Sequence, residues 1–159
     1  MSEEEIKTLK NMKEAATKSI QKPYSRIDQI GIVVKDAEKT MKFLQETFGI
    51  GPFVTTETEE GGATKISGFQ LGELQTELIQ SSVPWRARAN EGLHHLAFYV
   101  ENIKKELAKL KKQGIGMLQR GNVLGLVEWA YLDTEKNSGI IFELIQLTPL
   151  VDEILKGSS

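Results

Sequence analysis

Two adjacent histidines are the side chains of this sequence best suited to metal binding or proton transfer. His94 and His95 are the two histidines of the chain, and both lie in the apolar segment GLHHLAFYV, residues 92–100. If this segment is a strand, neighbouring side chains point to opposite faces. His94 then shares a face with bulky apolar residues, and His95 shares the other face with a smaller, more mixed set. A functional role for either one therefore has to be decided from the rest of the chain.

A repeated carboxylate gives one of these histidines a partner. The tetrapeptide ELIQ occurs at 77–80 and again at 143–146, 66 residues apart. The same spacing aligns Gln29 with His95, and it also matches the apolar residues that follow them. Each half of this repeat therefore carries one polar residue near its beginning, in a predicted first strand, and one glutamate near its end, in a predicted last strand. The two pairs are Gln29 with Glu77 and His95 with Glu143.

Both glutamates are predicted to lie inside apolar strands, where an isolated carboxylate is costly unless it is paired or bound to a cation. One imidazole nitrogen, one amide oxygen and two carboxylate oxygens suit a divalent ion: Mn²⁺, Co²⁺, Ni²⁺, Mg²⁺, or Zn²⁺ with an expanded shell. The alternative is structural. The glutamates would then be exposed or paired with Lys65 and Arg120, and His95 would form a hydrogen bond within the core.

The elements that must position these residues also repeat. Apolar spacing predicts helices, as for Met41, Leu44 and Phe48 on one helical face, and turn residues between short apolar runs predict hairpins. The order strand, helix and three strands occurs twice, which predicts two βαβββ modules. The predicted strands are 26–34, 53–60, 63–71, 74–80, 92–100, 116–120, 126–133 and 139–147, and the helices are 36–49 and 101–114.

The modules, at about 26–81 and 92–147, are expected to form one domain over 25–147. Residues 1–24 predict a helical extension that Ser2 caps and Pro23 ends. Its modest apolar stripe favours an exposed or dimer-packing helix. Residues 148–159 predict a tail or a short helix.

Composition removes several classes of function. The net charge of −2 gives no general attraction to nucleic acid or anionic membrane. There is no cysteine, which excludes a disulfide, a thiolate zinc site and a cysteine nucleophile. No apolar run of about 18 residues predicts a membrane helix, and the acidic N-terminal segment lacks the apolar stretch of a signal peptide. We expect a cytoplasmic protein that binds neither nucleic acid nor membrane.

Three segments resemble one known superfamily. IDQIGIVVKDAEKTMKFLQETFGIGPF and GLHHLAFYVENI, closed by GIIFELIQ, are similar to the vicinal oxygen chelate superfamily, and the resemblance covers about residues 26–147. That group includes glyoxalase I, methylmalonyl-CoA epimerase, extradiol dioxygenases and metal-free drug-binding proteins. The resemblance implies an α+β fold in which two tandem βαβββ modules form a mixed sheet that curls around a metal cleft.

The resemblance also implies a ligand set on the first and last strand of each module. In the family pattern the ligand directly precedes an apolar residue and then a small one, which selects His95 in His95-Leu96-Ala97 rather than His94. Many members have histidine where this chain has glutamine, but glutamine is a ligand in glyoxalase I and epimerase members. We therefore expect metal binding, though weaker than with two histidines. The implied ligands are Gln29, Glu77, His95 and Glu143.

Two reactions implied by the resemblance share one chemistry, the abstraction of a proton next to a carbonyl. The metal would hold the carbonyl oxygen and stabilise the enediolate, and Glu143, also a ligand, is the expected base. The segments GIGPF and WRARANEGLHHLAF look more like the epimerase branch, which acts on a malonyl-type CoA thioester. The alternatives are a glyoxalase I-like lyase, acting on the glutathione hemithioacetal of methylglyoxal, and a metal-free small-molecule-binding protein, which Gln29 favours.

Four further residues are candidates for substrate contact or proton transfer. Arg86 and Arg88 precede the metal strand and suit a substrate phosphate or carboxylate, although a solvated loop explains them equally well. Lys65 aligns with a second glutamate base of the epimerases, and the spacing of 66 residues pairs it with Tyr131 across the cleft. Lys65 is expected to act as a base if burial lowers its pKa, to bind a substrate carboxylate, or to pair with Glu77.

The expected partners are a small-molecule substrate, a CoA or glutathione thioester, and a second copy of the chain. An open module edge and the extra N-terminal helix favour a homodimer. The metal site is expected either within one chain or across two, since both arrangements occur in the superfamily.

Overall fold

The computed structural model describes residues 1–59, 62–83 and 91–158. The chain divides into two compact units, and we name each after the βαβββ module that it contains. The first-module unit is Gln29–His95, and the second-module unit combines Met1–Asp28 with Leu96–Ser159. The boundary between them falls inside one strand, directly after the second histidine.

In the described part of the chain there are five helices and eight strands, and the strands form a mixed sheet. In chain order the elements are α1 (Glu3–Gln21), β1 (Gln29–Val33), α2 (Ala37–Phe48), β2 (Val54–Thr58), β3 (Thr64–Leu71), β4 (Leu74–Ser81), β5 (Gly92–Tyr99), α3 (Ile103–Lys112), β6 (Met117–Val123), β7 (Val127–Leu132), α4 (Glu135–Ser138), β8 (Ile141–Leu147) and α5 (Pro149–Gly157).

In the first-module unit the strand order is β2-β3-β4-β1, with the beginning of β5 after it. Strands β2, β3 and β4 pair antiparallel, whereas β1 runs parallel to β4 because helix α2 connects the first strand to the hairpins. In the register, Glu77 of β4 lies opposite Gly31 of β1 and Gly68 of β3. Since residues opposite each other share a face, this register fixes which side chains can meet Glu77.

In the second-module unit the order is β5-β8-β7-β6, and strand β5 runs from one unit into the other. Helix α3 packs on one face of these strands, where its residue Ile103 joins a buried cluster with Ala130 and Leu144. Successive strand residues alternate between faces, so the neighbours of Leu144 in β8, Glu143 and Ile145, lie on the opposite face.

Helices α1 and α5 cover part of that opposite face. Ala16 of α1 packs with Ala97, Tyr99 and Ile145, and Leu9 of α1 packs with residues of the β6–β7 turn and of α5. Ser2 caps α1 as predicted, and Glu5 completes a capping box with it. Of the two predicted alternatives, the exposed helix is wrong, because Leu9 and Ala16 pack against their own unit; packing against a second copy stays a prediction.

The ELIQ repeat has a structural reason that the sequence did not reveal. Each helix of the repeat begins where its first backbone N–H donates to the glutamine that ends ELIQ: Ala37 to Gln80 at 2.8 Å, and Ile103 to Gln146 at 2.7 Å. The glutamine therefore holds the helix on one face of its strand. The glutamate three residues earlier points to the other face.

These elements confirm the predicted α+β fold with two βαβββ modules. The short C-terminal helix is also present, as α5. None of the helices in the described ranges is both long enough and apolar enough to cross a membrane.

Candidate metal centre

Three of the four predicted ligands meet in the first-module unit. Gln29 begins β1, Glu77 lies in β4, and His95 lies in β5 at the edge of the unit. The parallel register of β1 and β4 puts Gln29 and Glu77 on the same face. Gln29 and His95 are buried, and the side chain of Glu77 keeps 17% of its surface exposed. The cluster is therefore largely buried, with its carboxylate accessible to solvent.

The polar atoms of these three residues form a connected set. Gln29 Nε2 donates to Glu77 Oε1 at 3.0 Å, which fixes the orientation of both groups. The other oxygens face the imidazole: Gln29 Oε1 lies 3.3 Å and Glu77 Oε2 lies 3.8 Å from His95 Nε2. One amide oxygen, one carboxylate oxygen and one imidazole nitrogen are thus brought together.

This arrangement fits a divalent cation. Ligands bonded at about 2.1 Å to an octahedral ion lie about 3 Å from each other, and the two separations from His95 Nε2, 3.3 Å and 3.8 Å, exceed that distance by less than 1 Å. The hydrogen bond between Gln29 and Glu77 uses the remaining amide and carboxylate atoms, so it does not compete with ligation. Within the described ranges no three His, Cys, Asp or Glu side chains are grouped to hold a metal, because the third donor is the amide of Gln29.

A glycine makes room for the imidazole. A Cβ built on Gly31 would overlap the ring of His95. The residue 66 positions later is Ala97, which is fully buried and carries a Cβ. The family pattern anticipated a small residue at both positions, but only the structure shows that position 31 requires glycine because the His95 ring lies against it.

His94 contacts His95 directly, which alternation along the strand did not predict. The two Nδ1 atoms are 2.9 Å apart and the rings meet edge to face at 88°. Both side chains are fully buried. The sequence pattern assigned His94 no place in the site. The signal for its contact with His95 was that the two histidines are adjacent in sequence.

The fourth predicted ligand, Glu143, belongs to the second-module unit. It is 5% exposed in β8 and lies opposite Tyr131 of β7. Tyr131 is also buried, and its ring meets Trp129 with centroids 5.3 Å apart. Alternation puts all three side chains on one face. Glu143 is therefore a buried carboxylate whose surroundings include two aromatic rings.

Lys65 does not lie beside Glu77, and this corrects one expectation. Lys65 is opposite Gln80 in the β3–β4 pair, whereas Glu77 is opposite Gly68. Residues three apart in a strand lie on opposite faces. Lys65 Nζ instead pairs with Glu38 at 3.0 Å and with Glu57 at 3.4 Å. The hydrogen bond to Glu38 raises the pKa of Lys65, which opposes the lowered pKa that a base would need.

The predicted equivalence of Lys65 and Tyr131 is also wrong, and the register shows why. Tyr131 lies opposite Glu143, and the residue opposite Glu77 is Gly68. The connection between β7 and β8 contains α4 and is longer than the tight turn between β3 and β4. A single spacing of 66 residues therefore fails at the third strand of the module. Arg86 and Arg88, the predicted substrate-binding arginines, lie outside the described residues.

Comparison with known proteins supports the predicted family and fold. The family described as the glyoxalase/bleomycin resistance protein/dioxygenase superfamily matches residues 28–131. An uncharacterised Bacillus subtilis protein, YqjC, is 25% identical over 130 residues, which cover 77% of this chain and 92% of that protein.

Solved structures of methylmalonyl-CoA epimerases have the same fold. A Streptomyces coelicolor epimerase variant in complex with 2-nitronate-propionyl-CoA superimposes with a TM-score of 0.65 at 22% identity, covering 78% of this chain and 95% of that one. A methylmalonyl-CoA epimerase in complex with methylmalonyl-CoA and NH4+ gives 0.63 at 23% identity, with the same coverage. At these identities the likeness establishes the fold.

Proposed function

The chain belongs to the glyoxalase/bleomycin resistance protein/dioxygenase superfamily, and from this premise we propose that it is a divalent-metal-dependent enzyme that abstracts a proton next to a carbonyl. The proposed reaction is an isomerisation of an acyl-CoA thioester, of the methylmalonyl-CoA epimerase type. The observation that carries the proposal is the convergence of Gln29 Oε1, Glu77 Oε2 and His95 Nε2 in one unit.

In this proposal the three converging residues hold the cation, and Glu143 stays the fourth ligand that the sequence predicts. The side chains of Glu77 and Glu143 together carry two negative charges, which match a divalent ion, and Gln29 and His95 add neutral donors. When bound, the cation would polarise the carbonyl oxygen and stabilise the negative charge that develops as the proton leaves. The Gln29–Glu77 hydrogen bond keeps both ligands oriented before substrate arrives.

Glu143 is the proposed base. A positioned carboxylate is a common general base, and Glu143 is 5% exposed and lies opposite Tyr131. Epimerisation also requires that a proton return to the opposite side of the carbon. Lys65 lies on the face of the sheet opposite to that of Glu77, so proton abstraction is assigned to Glu143 alone. A proton from solvent water then returns to the opposite side of the carbon, and Glu143 releases the abstracted proton to solvent.

A CoA thioester is the substrate class that the structural relatives favour. The two epimerase structures hold a CoA ester or its analogue, and a thioester carbonyl acidifies the neighbouring C–H. The proposed substrate therefore has a thioester with a hydrogen on the adjacent carbon, as methylmalonyl-CoA does.

The first experiment measures the metal and the proton transfer separately. Purified protein is analysed for bound metal, stripped with a chelator, and reloaded with Co²⁺, Ni²⁺, Mn²⁺, Zn²⁺ or Mg²⁺. Each form is then incubated with methylmalonyl-CoA in D₂O, and mass spectrometry follows deuterium at the α carbon. We expect one metal equivalent per site, and deuterium incorporation that is lost on stripping and restored on reloading.

Other outcomes would replace this proposal. Metal far below one equivalent after reloading would leave a metal-free binding protein of the same fold. Metal binding without deuterium incorporation would exclude the epimerase reaction. Turnover of the hemithioacetal of methylglyoxal and glutathione by that loaded protein would then assign a glyoxalase I-like lyase.

A further inference from the structure

The contact between the two histidines has a chemical requirement. His94 Nδ1 and His95 Nδ1 are 2.9 Å apart and both side chains are fully buried. Two unprotonated ring nitrogens at this distance would repel each other, so one of them must carry a hydrogen and donate it to the other. A neutral pair therefore has two arrangements, which differ in which histidine donates.

The two arrangements have opposite consequences for the ligand atom. If His95 Nδ1 carries the hydrogen, His95 Nε2 has a free lone pair that faces Gln29 Oε1 and Glu77 Oε2. If His94 Nδ1 carries the hydrogen, His95 is protonated on Nε2 and donates to Gln29 Oε1 at 3.3 Å. Only the first arrangement presents a metal ligand, because a ring nitrogen that bears hydrogen cannot bind a cation.

We propose that His94 is a positioning residue for the metal site: in the loaded protein its Nδ1 accepts the hydrogen of His95 Nδ1, which stabilises the tautomer in which His95 ligates through Nε2. This role rests on the proposed metal-dependent function. On loading, the hydrogen between the two Nδ1 atoms would move from His94 to His95, His95 Nε2 would release a proton and His94 Nε2 would take one up, so that the pair stays neutral. An acceptor behind a ligating imidazole also strengthens the ligand.

The surroundings support this role. The ring of His95 lies in the space that Gly31 leaves free, so the imidazole is confined between β1 and its neighbour in sequence. The Gln29–Glu77 hydrogen bond holds the atoms on the other side of the ring. The orientation of the His95 ring is therefore constrained, and its two neutral forms differ in which ring nitrogen carries the hydrogen. His94 Nδ1 lies within hydrogen-bonding distance of one of those nitrogens.

The test compares two variants at position 94 with wild type, using Zn²⁺ as the probe. His94→Leu keeps an apolar side chain but removes the acceptor. His94→Asn places its Oδ1 acceptor near the original position of Nδ1. We expect the Kd for Zn²⁺, from competition with a chromophoric chelator, to rise by roughly 10–100-fold in His94→Leu and to stay close to wild type in His94→Asn.

A spectroscopic measurement on wild type supports the comparison if His94→Leu folds poorly. Long-range proton–nitrogen NMR on ¹⁵N-histidine protein shows which ring nitrogen carries hydrogen. We expect hydrogen on His95 Nδ1 in the Zn²⁺-loaded protein and on His95 Nε2 in the metal-free protein.

The outcomes separate this inference from the function on which it rests. Wild-type protein that binds no Zn²⁺ would overturn the proposed function and this role together. Wild-type binding with an unchanged Kd in folded His94→Leu, or loaded protein without hydrogen on His95 Nδ1, would overturn the role of His94 alone. Equal weakening in His94→Leu and His94→Asn would show that packing, not hydrogen bonding, is what position 94 supplies.

Discussion

The two modules keep the same framework but use their glutamate faces differently. In both, the glutamine of ELIQ holds the start of a helix on one face of the strand, and the glutamate points to the other face. In the first-module unit, Glu77 is linked to Gln29 and lies near His95. In the second-module unit, α1 and α5 pack on the face that carries Glu143. Glu77 therefore belongs to a polar cluster, whereas Glu143 is a buried carboxylate on a face covered by helices.

This difference suggests a division of labour between two carboxylates of common position. In the proposed function Glu77 is a ligand, and its hydrogen bond with Gln29 orients it. Glu143 is the proposed base, and it is 5% exposed. The repeat supplies two equivalent glutamates, and their different surroundings fit the two proposed roles.

The sharpest way to break this comparison is to replace each glutamate by glutamine. In Glu143→Gln we expect the rate of deuterium incorporation at saturating metal to fall by about 10²–10⁴-fold, because the amide cannot accept the proton. In Glu77→Gln we expect mainly a higher Kd for the metal, with activity largely recovered when more metal is added. Recovery of Glu143→Gln by excess metal would show that both glutamates are simply ligands.

The second prediction concerns α1, a helix of the second-module unit that has no counterpart among the described residues of the first-module unit. Leu9 of α1 is 5% exposed and packs against Leu126 and Val151, so Leu9→Ala should lower the free energy of unfolding by about 2–5 kcal/mol. The matched control is Phe43→Ala on α2, since Phe43 is 56% exposed. It should change stability by about 0.5 kcal/mol or less. Urea unfolding measures both, and equal effects would mean that α1 contributes no more than a surface side chain.

The module order and the convergence of Gln29, Glu77 and His95 could be predicted because both follow from local periodicity and from one internal repeat. Apolar periodicity defines the strands and helices, and a repeat doubles the information on each strand. The ligand positions share one spacing because the first and last strands of each module are equivalent. Gln29, Glu77 and His95 were placed on these strands by sequence alone, and the register of β1 and β4 brings the first two together.

What the sequence did not predict depends on loop length and on packing between side chains. Lys65 was misplaced because the longer β7–β8 connection shifts the third strand of the second module relative to the first. The contact between the two histidines was missed because alternation describes the direction of a side chain but not the reach of its ring. The packing of α1 was missed because small residues such as Ala16 give little periodic signal and still allow close contact.

The third prediction tests a position where the two modules differ by a single methyl group, Gly31 and Ala97. In Gly31→Ala the new Cβ would overlap the His95 ring, so we expect a loss of about 1–3 kcal/mol in stability from overpacking and weaker metal binding. Ala97→Gly at the equivalent position should cost about 0.5–1 kcal/mol and leave the Kd for the metal unchanged. Unfolding and metal titration measure both variants. Wild-type metal affinity in Gly31→Ala would show that the His95 ring is not held against β1.

The smallest effect is expected at Lys65, whose side chain lies on the other face of the sheet from that of Glu77. Lys65→Met should leave the rate of deuterium incorporation and the metal Kd within about twofold of wild type, because Lys65 pairs with Glu38 and Glu57. Those pairs raise its folded-state pKa. Their contribution to stability is therefore complete below the ordinary lysine pKa and is lost as pH rises above about 10.5. The stability difference between wild type and Lys65→Met should accordingly shrink in that range and not between pH 7 and 9. The control is Lys42→Met, which removes an exposed lysine of α2. A tenfold or greater loss of activity in Lys65→Met but not in this control would show that Lys65 takes part in the reaction. Proton transfer would then not be confined to the buried carboxylate.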